Sequence, residues 1–280
     1  MQSDSLIFLT FLYIITAFGC AHLKEDPKIV DTTFKSEILQ ETRDIQIWLP
    51  TNISENEKND NRYPLIILLD GNTYFQTTID ALLNLNSLIH RDHGSNTPII
   101  VAIDSQDRER DFTFSKIEMV RSNNTGHGKT FLNFINKELM PYLENQYPIN
   151  AQKILIGHSL GGLFTINALL DETASFSDYV SIDPSIWWDQ DMMEDKTTKE
   201  FLTLRNVSAS IYTANPENHQ EGSKLKKHKK LYDLLSKQMS PRSSLNHCHY
   251  PMEDHRSIVY PAILNAIKKI SFPEHESGCI

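Results

Sequence analysis

Short apolar runs alternate with longer amphipathic segments along most of this chain. Five runs are almost continuously apolar, which is typical of strands that are covered on both faces: PLIILLD, PIIVAID, KILIG, YVSID and SASIYTA. The segments between them predict helices over 77–89, 129–145, 160–170 and 224–239, with a last helix in SIVYPAILNAIKKI. This alternation predicts an α/β fold, a mostly parallel sheet that is flanked by helices on both faces.

A different pattern comes before the first buried run. In RDIQIWLP apolar and polar residues alternate, as in a strand with one covered face. The preceding stretch FKSEILQ is predicted to pair with it in antiparallel fashion. The polar segment 51–62 then forms a loop to the first buried strand. One catalytic domain over 34–272 is expected from this organisation, followed by a tail over 273–280.

The start of the chain predicts export. Residues 6–18 form an apolar run that is shorter than the roughly 20 residues of a membrane-spanning helix and typical of a signal segment. The run ends in TAFGC, which resembles the lipobox of bacterial lipoproteins, where the cysteine is lipidated. We therefore expect an export signal over 1–20, lipidation at Cys20 and a tether over 21–33. The protein would face the periplasm or cell surface on a lipid anchor; an ordinary cleaved signal is the alternative.

Composition and charge narrow the function classes. The chain has 280 residues, 40% of them hydrophobic, which is enough for one sizeable core. Its formal net charge is -9, and KLKKHKK is the only extended basic run. A nucleic-acid binder would need a basic face, so no nucleic-acid partner is expected. A small-molecule substrate fits this composition better than a polyanion.

Cysteine usage is compatible with an exported protein. With Cys20 lipidated or removed, Cys248 and Cys279 remain as an even pair. An oxidising compartment could join them in a disulfide bond, and two separate thiols are the alternative.

The segment KILIGHSLGGLF carries the clearest chemical signal. A buried strand leads into G-x-S-x-G, and a helix follows directly. In such a strand-turn-helix the serine sits on a strained turn, and the glycines Gly157 and Gly161 avoid side chains that would obstruct it. Ser159 is therefore predicted to be a nucleophile. The backbone N–H of Leu160, at the start of the helix, is predicted to be one donor of an oxyanion hole.

A nucleophilic serine needs a base, and His255 has the expected place in the chain. The order for this motif is serine, acid and then histidine, and His255 lies before the final helix. His158 is adjacent to the nucleophile but is expected to point elsewhere. His247 and His249 form an H-x-H pair on a predicted strand, but no third ligand is evident, so no metal site is expected.

Six ordered motifs resemble one known family. They are PLIILLDGNTYF, DRERDFTF, FLNFINKELMPYLENQYPI, KILIGHSLGGLFTINALL, YVSIDPSIWWD and EDHRSIVYPAI. These look like the successive motifs of the putative-esterase family of α/β-hydrolases, which includes siderophore (enterobactin) esterases and is related to esterase D. The resemblance covers about 34–270. It implies an α/β-hydrolase fold, serine carboxylesterase activity and no metal or organic cofactor.

The resemblance and the order of strands suggest further site residues. The second oxyanion donor is expected from the backbone of Gly71 or Asn72, in the loop after a strand. Trp187 and Trp188 are expected to form a wall or lid over the substrate, with core packing as the alternative. Arg110 is expected to line the site, although an ion pair with Asp111 would also explain it.

The acid that orients His255 has two candidates. Glu217 follows the strand from which the acid of an α/β-hydrolase usually reaches the base, and it is preferred for that position. Asp183 follows the preceding strand and is the alternative. It stands where the family pattern, similar to SPSLWWD, has its first serine. A carboxylate at either strand end could accept the imidazole N–H.

The sequence therefore predicts a serine carboxylesterase with a small-molecule ester as its substrate. A siderophore lactone, an acylated sugar and a short acyl ester all suit the same triad. Acyl transfer to an alcohol and a non-catalytic ligand-binding lipoprotein on the same scaffold are the alternatives.

Overall fold

The computed structural model describes residues 27–51, 53, 62–88, 97–117, 124–188, 207–214 and 222–271. Over these residues the chain forms an eight-stranded sheet in the order β1-β2-β4-β3-β5-β6-β7-β8. The strands are β1 (Lys28–Ser36), β2 (Glu41–Leu49), β3 (Tyr63–Leu69), β4 (Ile99–Ile103), β5 (Ile149–His158), β6 (Asp178–Ile182), β7 (Ser208–Ala214) and β8 (Ser244–Tyr250). β2 is antiparallel to β1 and β4, and the pairs from β4 to β8 are parallel.

Helical segments lie between the parallel strands and after the last one. They are α1 (Gly71–Leu88), α2 (Arg108–Phe112), α3 (Gly128–Phe134), a π-helical turn (Ile135–Leu139), α4 (Met140–Gln146), α5 (Leu160–Leu170), α6 (Gly222–Gln238) and α7 (Val259–Ser271). The sheet with these crossovers has the α/β-hydrolase fold, as expected from the sequence.

The core consists of two apolar layers on opposite faces of the sheet. The central strands contribute alternate residues to each layer: Ile67 on β3 packs on one side, and Ile66 packs on the other. α5 lies fully inside one layer, since all of its residues are buried. A helix that is apolar all round has no amphipathic stripe. The helix that follows Ser159 is thereby held firmly against the sheet.

Several boundaries differ from the sequence-based expectation. α5 has the predicted bounds, but α1 begins at Gly71 instead of 77. Its first turn closes directly on the strand end, because the N–H groups of Thr73 and Tyr74 donate to the carbonyl of Asp70. The helix predicted over 129–145 is interrupted by the π-helical turn.

The first strand extends into the segment expected to be a tether. β1 begins at Lys28, within 21–33, and pairs with β2 from Lys28 to Ser36. Val30, Thr32 and Phe34 are less exposed than their neighbours, so one face of this extension is covered by the fold. The catalytic fold therefore includes residues before 34.

The predicted signal lies outside the described residues, and so does Cys20. Within the described ranges no helix is both long and apolar enough to cross a membrane.

One cysteine of the described part is oxidised. Cys248 on β8 is 1% exposed and disulfide-bonded. The other two cysteines of the chain, Cys20 and Cys279, lie outside the described residues.

Candidate active site

Three strained residues mark the carboxyl edge of the sheet. Asp70, Ser159 and Asp183 follow directly after β3, β5 and β6, and their φ angles are 58°, 59° and 38°. Positive φ costs a non-glycine residue about 1–3 kcal/mol and is concentrated at functional sites. In open α/β sheets ligands also bind at the carboxyl ends of the strands. This edge is therefore the candidate active site.

Ser159 forms the predicted turn between strand and helix. Its N–H donates to the carbonyl of Ile182 at 3.0 Å, which ties the turn to the end of β6. α5 begins at the next residue, and its first helical hydrogen bond runs from Leu163 N to Ser159 O at 3.0 Å. Because these contacts fix the backbone, the position of the hydroxyl is set by the fold.

The glycines of the motif have unequal steric roles. A Cβ on Gly157 would lie 2.2 Å from the carbonyl oxygen of Gly161, so only glycine fits there. A Cβ on Gly161 would meet its nearest neighbour at 3.4 Å, an ordinary contact. The second tight position is Gly162, where a Cβ would lie 2.9 Å from Ile182 O. The expected steric need for glycine thus holds for Gly157 and not for Gly161.

His255 lies between the nucleophile and a buried carboxylate. Its Nε2 is 3.1 Å from Ser159 Oγ, and its Nδ1 contacts Asp183 Oδ2. The Asp183 side chain is 2% exposed, whereas that of His255 is 44% exposed. In the neutral ring Nδ1–H donates to the carboxylate, which leaves Nε2 to accept the serine proton. This arrangement can activate Ser159 as a nucleophile.

The preference for Glu217 as the acid is not supported by this geometry. Glu217 lies outside the described residues, and the Nδ1 contact expected of it is made by Asp183. Since Nδ1 carries a single proton, the carboxylate that holds it takes the orienting position. Of the two candidates, the described structure brings together His255 and Asp183.

Ser185 is a site residue that the sequence reasoning missed. Its hydroxyl oxygen is 3.1 Å from Ser159 Oγ, and its N–H donates to the Ser159 carbonyl at 3.0 Å. When Ser159 donates its proton to His255, the Ser185 hydroxyl can donate to Ser159. The sequence offered only a weak signal, a serine two positions after Asp183 at a strand end.

Two of the expected oxyanion donors lie at helix starts. Leu160 and Gly71 open α5 and α1, and the first N–H groups of a helix have no acceptor within it. Both helix starts lie at the active edge of the sheet. The N–H of Asn72, in contrast, is bonded to Asp104, whose pKa is raised mainly by burial and lowered by this bond. The structure therefore favours Gly71 over Asn72.

Arg110 is held in an ion-pair network. Its guanidinium donates to Glu41 at 2.9 and 2.7 Å and to Asp111 at 2.7 and 3.2 Å. Arg43, whose side chain is fully buried, contacts the same two carboxylates. The ion pair with Asp111, the alternative explanation for Arg110, is therefore present, and the contacts given for Arg110 are structural.

The arginine that contacts the nucleophile turn is Arg108. Its Nε and Nη2 donate to the carboxylate of Asp70 at 2.7 and 3.1 Å, and Nη2 also lies 3.4 Å from His158 O. Its side chain remains 38% exposed. The sequence could not show which of the two arginines contacts the site, because they stand two positions apart and their directions depend on how α2 is oriented.

The two tryptophans have different environments. Trp187 is 54% exposed, whereas Trp188 is 3% exposed and belongs to the core. Their ring centroids are 5.7 Å apart. Only Trp187 therefore presents a surface that could form a wall for a substrate.

Two further histidines hold the loops of the site. His228 on α6 is buried, and its Nε2–H donates to Pro184 O, next to Asp183, at 3.0 Å. His158 is also buried, and its Nε2–H donates to the carbonyl of His255 at 2.7 Å. Burial lowers the pKa of His158 to about 4, with a smaller contribution from the neighbouring His255. The His158 side chain is therefore neutral at pH 7.

The lowered pKa of His158 predicts acid-sensitive stability. As pH falls below 6.5 the unfolded chain takes up a proton at His158, whereas the folded chain takes it up only near 4. The folded state therefore loses stability across this window, by about 3 kcal/mol at about 1.4 kcal/mol per pH unit. Urea unfolding should show this loss in the wild type and not in His158→Gln, compared at neutral and acid pH. Equal losses in both proteins would contradict it.

The fold and these contacts define an α/β-hydrolase with a serine at the nucleophile position. The sequence matches the family described as Putative esterase over residues 36–241. The chain belongs to this family, and it is an ester hydrolase.

Known relatives are siderophore esterases and related hydrolases. The chain is 26% identical over 232 residues to the ferri-bacillibactin esterase BesA of Bacillus subtilis, covering 76% of this chain and 80% of the relative. It is 30% identical over 173 residues to the siderophore triacetylfusarinine C esterase of Aspergillus fumigatus, covering 59% and 58%. Among solved structures, an IroE-like serine hydrolase from Shewanella oneidensis has a TM-score of 0.74 at 27% identity, covering 86% of this chain and 79% of that chain.

Proposed function

We propose that this protein hydrolyses ester bonds of a siderophore through a Ser159–His255–Asp183 triad. The observation that carries the proposal is the pair of contacts made by His255, one to Ser159 Oγ at 3.1 Å and one to Asp183. A histidine placed between a hydroxyl and a buried carboxylate is the arrangement of serine hydrolases.

The first half of the reaction is formation of an acyl-enzyme. His255 Nε2 takes the proton of Ser159 as Oγ attacks the ester carbonyl carbon, and the carbonyl electrons move to its oxygen. The N–H groups of Leu160 and Gly71 donate to that oxyanion. As the tetrahedral intermediate collapses, the bond to the leaving alkoxy group breaks, and His255 returns the proton to it.

The second half restores the enzyme. Water loses a proton to His255 Nε2 and attacks the acyl carbon, and the released Ser159 Oγ regains the proton. In both halves Asp183 stabilises the imidazolium that forms, because its carboxylate accepts the Nδ1–H. Asp183 is buried, so this interaction is screened less than a surface ion pair.

Three observations support a siderophore ester as the substrate class. Two relatives that differ from each other in source are named for siderophore esters. Trp187 offers an exposed ring two residues after Ser185, and Arg108, whose side chain is 38% exposed, contacts the nucleophile turn. An aromatic ring and a cationic group suit a large ligand that carries both rings and oxygen atoms.

An ester panel tests this proposal. Purified protein without its first 20 residues would be assayed with p-nitrophenyl acetate, an acetylated sugar and a trilactone siderophore with and without iron. We expect the siderophore to give the highest kcat/KM. A higher kcat/KM for the sugar ester would reject a siderophore as the substrate class but would leave the proposed triad unaffected. Products formed with an added alcohol acceptor in place of hydrolysis would instead indicate an acyltransferase.

We also propose that the protein is exported and anchored in a membrane through lipid on Cys20. The apolar run over 6–18, followed by small residues and a cysteine, supports this proposal. With Cys20 as the mature N-terminus, residues 21–27 would connect the lipid to β1, which begins at Lys28. The catalytic domain would then lie close to the membrane surface.

Cys20→Ala is expected to abolish incorporation of labelled fatty acid and to release the protein into the soluble fraction or leave it unprocessed. The reason is that only the thiol of Cys20 can carry the acyl-glycerol group at this position. Membrane fractionation of cells that express either form checks the result. Unchanged processing and membrane partitioning of Cys20→Ala would reject the anchor.

A further inference from the structure

His158 uses both ring nitrogens in a chain of contacts that ends on the base. Its Nε2–H donates to the His255 carbonyl at 2.7 Å. In a neutral ring the other nitrogen is an acceptor, so Nδ1 accepts from the hydroxyl of Tyr74 at 2.8 Å. The rings of His158 and His255 are also in contact, with centroids 4.5 Å apart. The nucleophile turn, α1 and the base loop are thereby linked by one side chain.

We propose that His158, oriented by Tyr74, is a positioning residue that holds His255 in line with Ser159 and Asp183. It bonds to the backbone of His255 and takes no part in the proton transfers, which the triad carries out. The inference rests on the proposed function, because it concerns the geometry of that same base.

The backbone hydrogen bonds of the base loop are mostly local: Glu253 N donates to Tyr250 O at 3.2 Å, and Ile258 N donates to Asp254 O at 3.2 Å. The Asp254 carboxylate accepts from Arg256 N and Ser257 N, each at 2.7 Å. In return, Asp254 N donates to the Ser257 hydroxyl at 2.9 Å. These bonds shape the turn without fixing it to the sheet. Among the described contacts, the bond from His158 connects the His255 backbone to β5, the strand that carries the nucleophile.

The location of His158 links the position of the nucleophile to the position of its base. It precedes Ser159 directly and ends β5, so a rigid strand positions both the nucleophile and the support of its base. Tyr74 stands in the first turn of α1, whose start provides the Gly71 N–H. The hydroxyl of Tyr74 keeps Nδ1 of His158 as an acceptor, and Nε2 therefore remains the donor that His255 requires.

Three variants test the role of His158. His158→Gln keeps a side-chain N–H donor of similar reach, His158→Leu removes the donor, and Tyr74→Phe removes only the hydroxyl. We expect His158→Leu to lower kcat for p-nitrophenyl acetate by about tenfold to a hundredfold, because small displacements of a reacting group have effects of this size. KM should change little. His158→Gln should recover most of kcat, and Tyr74→Phe should fall between the two.

His247→Leu is the matched control, because it is the same substitution at a part-buried histidine on β8. His247 packs against Tyr232 at 5.4 Å between centroids and lies outside the contacts of the triad. It should keep the wild-type kcat. Thermal unfolding of every variant separates lost folding from lost positioning, and kcat is compared for the folded fraction.

Labelling of Ser159 by a fluorophosphonate distinguishes failure of this inference from failure of the proposed function. The rate of labelling should fall in His158→Leu in parallel with kcat. Equal labelling and equal kcat in wild type and His158→Leu would overturn the role of His158 alone. An equal loss in His158→Gln and His158→Leu would also overturn it, since the donor would then be irrelevant. No labelling of the wild type would reject the nucleophile itself.

Discussion

Ser159→Ala protein is expected to hydrolyse p-nitrophenyl acetate at least about a thousandfold more slowly than the wild type. Without Oγ no acyl-enzyme can form on Ser159, and His255 has no hydroxyl at hydrogen-bond distance in that position to activate. The proposed oxyanion donors, the N–H groups of Leu160 and Gly71, are unchanged in this variant, so some residual rate above that of water should remain. Steady-state kinetics with both proteins measures the difference.

Folding and specificity need separate controls for this result. Circular dichroism should give the same spectrum for Ser159→Ala and the wild type, because the turn is held by backbone contacts to Ile182 and Ser185. Ser236→Ala on α6 makes the same chemical change at an exposed position and should keep full activity. A fluorophosphonate should label the wild type and Ser236→Ala but not Ser159→Ala. Retained hydrolysis in Ser159→Ala would exclude a serine esterase mechanism.

The contact between Ser159 and His255 could be predicted because the signals of both residues are local or ordered along the chain. Ser159 lies in a strand-turn-helix whose three parts are all visible within twelve residues of sequence, KILIGHSLGGLF. His255 is placed by chain order, as the histidine between the last strand and the last helix. The alternation of apolar runs likewise predicted the sheet, since buried parallel strands leave a continuous apolar pattern.

The contacts of Asp183, Arg108 and Gly162 could not be predicted in the same way. Asp183 and Glu217 follow neighbouring strands, and only the three-dimensional structure shows which carboxylate reaches Nδ1. Arg108 and Arg110 stand on one short helix, and the direction of each depends on the turn of that helix. The steric role of Gly162 depends on its distance to the end of β6. Each of these features is set by tertiary contacts between segments that are far apart in sequence.

The supporting histidines were missed for a related reason. His158 is adjacent to the nucleophile, and its neighbours in sequence give no sign of a bond to a carbonyl 97 positions away. His228 stands within a lysine-rich run and is nonetheless buried against Pro184. Burial of a polar side chain is costly unless it is hydrogen-bonded, so both histidines become informative only once their partners are known.

Asp183→Asn is expected to lower kcat by at least about a hundredfold with little change in KM. The asparagine keeps the size of the side chain but removes the charge that stabilises the His255 imidazolium in both halves of the reaction. Its amide N–H₂ can also donate to Nδ1, and the ring would then carry its proton on Nε2, where it cannot accept from Ser159. The loss should therefore fall on the chemical steps, while the binding contacts of the substrate are unchanged.

Two matched variants make this test decisive. Asp178→Asn makes the same change at the other end of β6, where the carboxylate accepts from the Ser177 hydroxyl, and it should keep the wild-type kcat. Glu217→Gln should also keep kcat within a few-fold, because the Nδ1 position is held by Asp183. Parallel kinetics of the three variants rank the carboxylates directly. If Glu217→Gln lost the activity and Asp183→Asn kept it, the orienting role would pass to Glu217, and the contact between Asp183 and His255 would be structural.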